Sequence, residues 1–170
     1  MWVSKERARA DLANSSVSLM SDMSSQSPPV QPPVTSSWSM KLPEGYARIG
    51  ISRGLPRRQR GYRVYRPLTP GAWYKSVTAA EYRDLYMAQL AKLDPAVVLK
   101  DLANLSAGKI PALLCFEKPP PDQNWCHRGL VAAWFQEALG LRVGEFGHEG
   151  CGRGWAHPKL PASWRRASDA

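Results

Sequence analysis

Two short stretches hold most of the side chains in this chain that could do chemistry. One is Leu113-Leu114-Cys115-Phe116-Glu117, and the other is Cys126-His127-Arg128. A thiol at the start of a helix meets free amides and partial positive charge, which lower its pKa from about 8.5 towards neutrality. Cys126 is therefore the candidate nucleophile. His127, with an unperturbed pKa near ~6.5, is the candidate proton carrier. Glu117 could serve as a base or as the partner of an arginine. Arg128 offers a planar fork suited to a phosphate or carboxylate. The same residues also have a purely structural reading: Cys126 as core, His127 capping carbonyls, and Arg128 paired with Glu117. One thiol chemistry is disfavoured directly. Cysteine phosphatases need an arginine six residues after the nucleophile. The positions six after Cys115, Cys126 and Cys151 hold Pro121, Ala132 and His157.

A second chemical signal lies upstream. From Arg48 to Arg66 there are seven arginines, at 48, 53, 57, 58, 60, 63 and 66, with Tyr62 and Tyr65 among them and no acidic residue. Arginine grips phosphate and tyrosine stacks on bases, so Arg53, Arg57 and Arg58 are candidate ligand-binding residues for a nucleotide or nucleic acid. A solvated basic loop is the plainer alternative. No P-loop, GxGxxG, zinc-finger spacing or RNA-binding aromatic signature supports a named motif.

A metal site is the third expectation weighed. All cysteines and histidines fall between 115 and 157, and Cys126, His148, Cys151 and His157 could make a tetrahedral zinc site. Only His148 and Cys151 have ordinary ligand spacing and no CxxC is present, so no metal is assigned. The glycine-rich stretch from Gly144 to Gly154 reads as a flexible loop.

These residues need elements to position them. Thr78-Ala79-Ala80-Glu81 is a capping box, followed by Tyr82, Leu85, Tyr86, Leu90 and Leu93 near one helical face. Asp94-Pro95 is an N-cap with proline at the first helical position, and Val98, Leu99, Leu102 and Leu105 continue the stripe until Gly108. Trp125 to Leu139 reads as a third helix stopped by Gly140. Ala47–Ile51, Ala112–Phe116 and Leu141–Phe146 read as short strands. Gly54 to Gly71 reads as a long connection. Alternating strands and helices predict an α/β fold: a small three-layer domain with a mostly parallel sheet. In such sheets ligands bind beyond the strand carboxyl ends, facing helix N-termini, which brings Glu117 and Cys126 to one crevice.

Composition bounds the rest. The chain has 170 residues, 44% hydrophobic and 22% charged, which suits one globular domain with tails. The net charge of +9 falls entirely after residue 40. Residues 14–40 hold ten serines and four prolines with one charged side chain, and residues 1–40 read as a disordered tail. An over-extended translation start and a flexible interaction arm both explain it. The α/β domain is expected over 41–156 and an irregular tail over 157–170. With no signal peptide, no apolar run long enough for a membrane helix and three cysteines, a cytoplasmic location with free thiols is expected.

Leu113-Leu114-Cys115-Phe116-Glu117 followed by Cys126-His127-Arg128 and an apolar helix resembles the bacterial domain-of-unknown-function 488 (DUF488) family. Ala47 to Gly54 with Pro56 resembles its opening strand and loop, and Leu68-Thr69-Pro70 with Tyr82 to Leu90 resembles its first helix. The likeness spans about Tyr46 to Glu149. It implies a compact α/β fold and a site using Glu117, Cys126, His127, Arg128 and Arg53. It names no reaction. Three functions follow as expectations. The first is a pocket for a phosphate-bearing ligand, a nucleotide or nucleic acid, with a catalytic thiol at Cys126. The second is a non-catalytic adaptor using the arginine loop, and the third is a zinc-stabilised domain.

Overall fold

The computed structural model describes residues 30–167. Its helices begin where side chains satisfy the first amides. Helix α1, Ala79–Ala91, opens on the capping box: Glu81 donates its amide to Thr78 Oγ1, and the Glu81 carboxylate accepts from the Thr78 amide. Helix α2, Pro95–Ser106, opens on Asp94, whose Oδ1 accepts from the amides of Ala96 and Val97. It ends one residue before Gly108, at Ala107 in the left-handed region. Helix α3, His127–Leu139, ends at Gly140, whose φ of 66° suits glycine, as expected. Cys126 is its N-cap, and no side chain caps it.

Strands β1 (Val34–Ser37), β2 (Tyr46–Gly50), β3 (Tyr62–Val64) and β4 (Ile110–Cys115) form an all-parallel sheet in the order β1-β4-β2-β3. Alternation along β4 sends Leu113 and Cys115 to one face and Ala112 and Leu114 to the other. The first face meets Ile49 and the apolar sides of all three helices, including Tyr86, Leu102 and Phe135. The second is covered, among the described residues, by Trp38, Leu42 and Leu55 from the loops, a thin outer layer without a helix. The fold is α/β with helices on a parallel sheet, as the element order predicts. Among the described residues no helix is long and apolar enough to cross a membrane.

The boundaries differ from the sequence reading in four places. Residues 1–29 of the expected disordered tail lie outside the described residues, but the fold begins before Lys41. β1 pairs with β4 in register Val34↔Ala112 to Ser37↔Cys115, and Trp38 closes the second face. The Gly54–Gly71 connection contains β3. Leu141–Phe146 is not a strand, because its pairing is limited to single bridges, Glu145 with Thr35 and Gly144 with Arg153. The segment after residue 156 is irregular, yet His157, Lys159 and Leu160 are buried in the domain. Gly129 makes this docking feasible: a Cβ there would lie 2.9 Å from the backbone of Lys159 and Leu160.

Trp38 is 4% exposed and donates its indole hydrogen to Ser52 Oγ, so it supports both the second face and the loop after β2. Trp38→Ala is expected to lower stability by about 3–5 kcal/mol in urea denaturation.

Candidate functional site

The carboxyl ends of β2 and β4 point at the start of α3, and the chemistry gathers there. Cys115 is the last residue of β4, Ile51 follows β2, and Cys126 and His127 open α3. His127 Nε2 lies 3.0 Å from the Ile51 carbonyl oxygen. A carbonyl only accepts, so Nε2 carries a hydrogen and Nδ1 is left facing Cys126 Sγ at 3.7 Å. Cys115 Sγ lies beside the same ring, 3.3 Å from Nε2 and 3.8 Å from Nδ1. Tyr86 meets the ring edge-on, with centroids 5.4 Å apart.

The two thiols divide their roles. Burial disfavours a charge on Cys126, but the hydrogen bond from Cys115, then the charges of His127 and Arg128, outweigh it and hold its pKa well below the ordinary thiol value. Burial pushes Cys115 up, and the neighbouring Cys126 sulfur pushes it further, so the two thiols are shifted in opposite directions. Burial works against a charge on His127 too, and Cys126 overcomes it, raising the imidazole. Both shifts favour a Cys126 thiolate with a His127 imidazolium over the neutral pair. Glu117 is pushed up to about 7, first by burial and then by the charge and hydrogen bond of Cys126. Its carboxyl can therefore exchange a proton near neutral pH.

Above these groups is a cleft of about 440 Å³. Cys126, His127 and Glu117 line its base, Tyr74, Tyr82, Phe116 and Trp125 supply aromatic walls, and Arg53 belongs to its lining. Arg53 is exposed, donates to the Pro70 carbonyl and lies 5.6 Å from the centre of the Tyr74 ring. Arg57 and Arg58 are exposed on the same loop but do not line the cleft.

Arg128 does not meet the expectation that it holds a ligand. Its side chain is fully buried, and four of its five hydrogens are donated within the protein. Nε and Nη2 donate to the two oxygens of Glu145 at 3.0 and 2.8 Å. Nη1 donates to the Glu117 carbonyl at 2.8 Å and Nη2 to that of Lys118 at 3.4 Å. The partner is thus Glu145 rather than the Glu117 carboxylate, and Arg128 positions the Glu117 backbone. A buried chain continues from Glu145. The Lys159 amide donates to His157 Nδ1, so His157 Nε2 donates to Thr35 Oγ1 (2.7 Å), which donates to Glu145 Oε2 (2.7 Å). Lys159 Nζ donates to the carbonyls of Lys118 and Asp122, while its own carbonyl accepts the Cys126 amide. The loop, the helix start and the C-terminal segment are locked together.

The zinc set inferred from spacing is not assembled. His157 is engaged in that chain, Cys151 is exposed, and the one convergent group among the described residues is Cys115, Cys126 and His127. Those three offer two sulfurs and one ring nitrogen within 4.8 Å of one another, with Nδ1 3.7 and 3.8 Å from the two sulfurs. Nε2 is taken by the Ile51 carbonyl, which leaves Nδ1 as the ring nitrogen free to face the two sulfurs.

Sequence reasoning did not assign roles to Cys115, Glu145, Lys159 or the aromatic walls, and it offered His157 only as a zinc ligand. For Cys115 a signal existed, since it ends a strand two residues before Glu117. Glu145 has no motif linking it to Arg128.

Two outcomes check this geometry. Arg128→Met, which leaves Glu145 charged and buried, is expected to cost about 3–5 kcal/mol in denaturant titration. Burial first, then the Arg128 charge, lower His157 from 6.5 to about 3, so it is neutral in the folded protein. The unfolded chain binds that proton more readily, so this contribution to stability is present above about pH 6.5 and is lost as pH falls towards 3. Nitrogen NMR of the ring at pH ~5 is expected to show the neutral tautomer with hydrogen on Nε2.

Comparison with known proteins agrees with this layout. No curated protein and no solved structure gives a significant match. The family model described as the Active DUF488-N3 subclade, DUF488-N3a, matches residues 35–139. The match begins in β1 and ends on the last residue of α3, so it contains Cys115, Glu117, Cys126, His127 and Arg128. It covers more than half of the chain, and the chain belongs to the DUF488 family, in its N3a subclade.

Proposed function

We propose that this protein is a thiol-dependent enzyme acting on a nucleotide, with Cys126 as nucleophile. The observation that carries the reading is the convergence of Cys126, His127, Cys115 and Glu117 at the base of an aromatic-walled cleft. The walls suit a flat ring, and Arg53 at the cleft suits its phosphate. The subclade's description as active agrees with a reacting centre.

Each group has one task. The Cys126 sulfur attacks an electrophilic carbon of the ring-bearing ligand, forming a C–S bond and displacing an electron pair onto an adjacent atom. Protonated Glu117 supplies a proton to that atom, and takes it back when the bond breaks. His127 stays positive, oriented by Ile51, and keeps the sulfur ionised. Cys115 donates its thiol hydrogen to the resting thiolate. Arg128 acts indirectly, by holding the Glu117 backbone.

Alkylation by iodoacetamide, mapped residue by residue, tests the reading. Cys126 is expected to react half-maximally well below pH ~8, and buried Cys115 scarcely at all. A nucleotide is expected to slow alkylation of Cys126, and Arg53→Ala to weaken that protection by roughly 10-fold. Reaction of Cys126 only at the ordinary thiol pH would overturn the reading. Stoichiometric metal released by chelator with loss of fold would replace it by the zinc-stabilised domain.

A further inference from the structure

We propose that the loop from Arg53 to Arg60 is a track for a single-stranded polynucleotide, which delivers one unpaired base to the cleft. The delivery step rests on the reading of the cleft above, while the electrostatic argument for the track stands without it.

The charge is one-sided. Between Glu44 and Glu81 there is no acidic residue, while seven arginines lie in that interval. Arg53, Arg57, Arg58, Arg60, Arg63 and Arg66 are exposed. Among the described residues none of the seven forms an ion pair; the cations that do are Arg83, Arg128, Lys159 and Arg166. A run of guanidinium groups without counter-charges attracts a polyanion.

The loop is also built rather than merely solvated. Ser52 Oγ accepts from Trp38 Nε1 at 3.0 Å and donates to the Gly54 carbonyl at 2.7 Å. Leu55 packs against the cluster containing Trp38, and Gln59 Nε2 donates to the Trp38 carbonyl at 2.9 Å. Gln59 Oε1 accepts from Arg48. The backbone is anchored at both ends while Arg57, Arg58 and Arg60 face solvent.

Continuity joins this strip to the site. The Ile51 carbonyl holds His127, the next residues Ser52, Arg53 and Gly54 line the cleft, and the remaining arginines follow in the same loop. A mononucleotide could engage Arg53 alone at the cleft, which leaves the others without a role. A polymer uses them all. The strand must be single, because Cys126 is only 2% exposed at the cleft base, and a base stacked in a duplex could not reach it. Phe116, 50% exposed at the cleft, offers a ring on which an entering base would stack.

The test is fluorescence anisotropy with labelled mixed-sequence single strands of about a dozen nucleotides, DNA in one arm and RNA in the other. Wild type is expected to bind at least one arm, with affinity falling steeply as salt rises. Arg57→Ala/Arg58→Ala/Arg60→Ala is expected to lose at least ~10-fold in affinity and to flatten the log–log salt slope by about 2. Lys92→Ala/Lys100→Ala, which removes exposed charges from the helical side, is expected to stay within about twofold. The bound strand is expected to shield Cys126 from iodoacetamide, and a mononucleotide at equal nucleotide concentration to shield it much less. Equal loss in both variants, a duplex bound as tightly as the single strand, or binding without shielding would each overturn the proposal. An arginine-dependent, shielding strand over a Cys126 with ordinary thiol reactivity would uphold the track and defeat the catalytic reading.

Discussion

Arg128 carries a full charge into a site with no solvent, and the surrounding chain is arranged to satisfy it. A buried guanidinium is tolerated only when its hydrogens and charge are matched. Here one carboxylate and two backbone carbonyls do that, from Glu145, Glu117 and Lys118. Each comes from a different part of the structure or turns a loop that would otherwise be loose. Thr35 in β1 and His157 in the C-terminal segment complete the shell around Glu145. The interaction therefore fixes the edge of the sheet, the segment after α3 and the loop after β4 in one step.

The candidate site follows from that constraint. With the Glu117 carbonyl bound to Arg128 and the Cys126 amide bound to Lys159, the carboxyl of Glu117 and the sulfur of Cys126 share the cleft base. The charge of Arg128 also contributes to the low pKa of Cys126. Electrostatics and positioning come from the same side chain, although it lies behind the cleft surface.

What could be read from the amino acids divides along the range of the interactions. The starts of α1 and α2 were legible because Thr78 with Glu81 and Asp94 with Pro95 act within one helical turn. The position of Cys126 and His127 at the start of α3 was legible because the apolar periodicity behind them and Gly140 mark the helix locally. β1 was not, since Val34-Thr35-Ser36-Ser37 looks like the serine-rich sequence before it. Its hydroxyls are buried by ladder pairing and by partners more than a hundred residues away. Leu141–Phe146 has strand-like composition but no partner beyond single bridges. Arg128 was misjudged for the same reason. Its chemistry suits an external anion, and nothing nearby in sequence reveals that Glu145 already occupies it.

The most direct measurement of the central claim is a pH titration of thiolate absorbance in the far ultraviolet, taken as the difference between wild type and Cys126→Ser. The account predicts a single-thiolate step centred well below the ordinary thiol value of about 8.5. A step at or above that value, or no step across the neutral range and beyond, would contradict it.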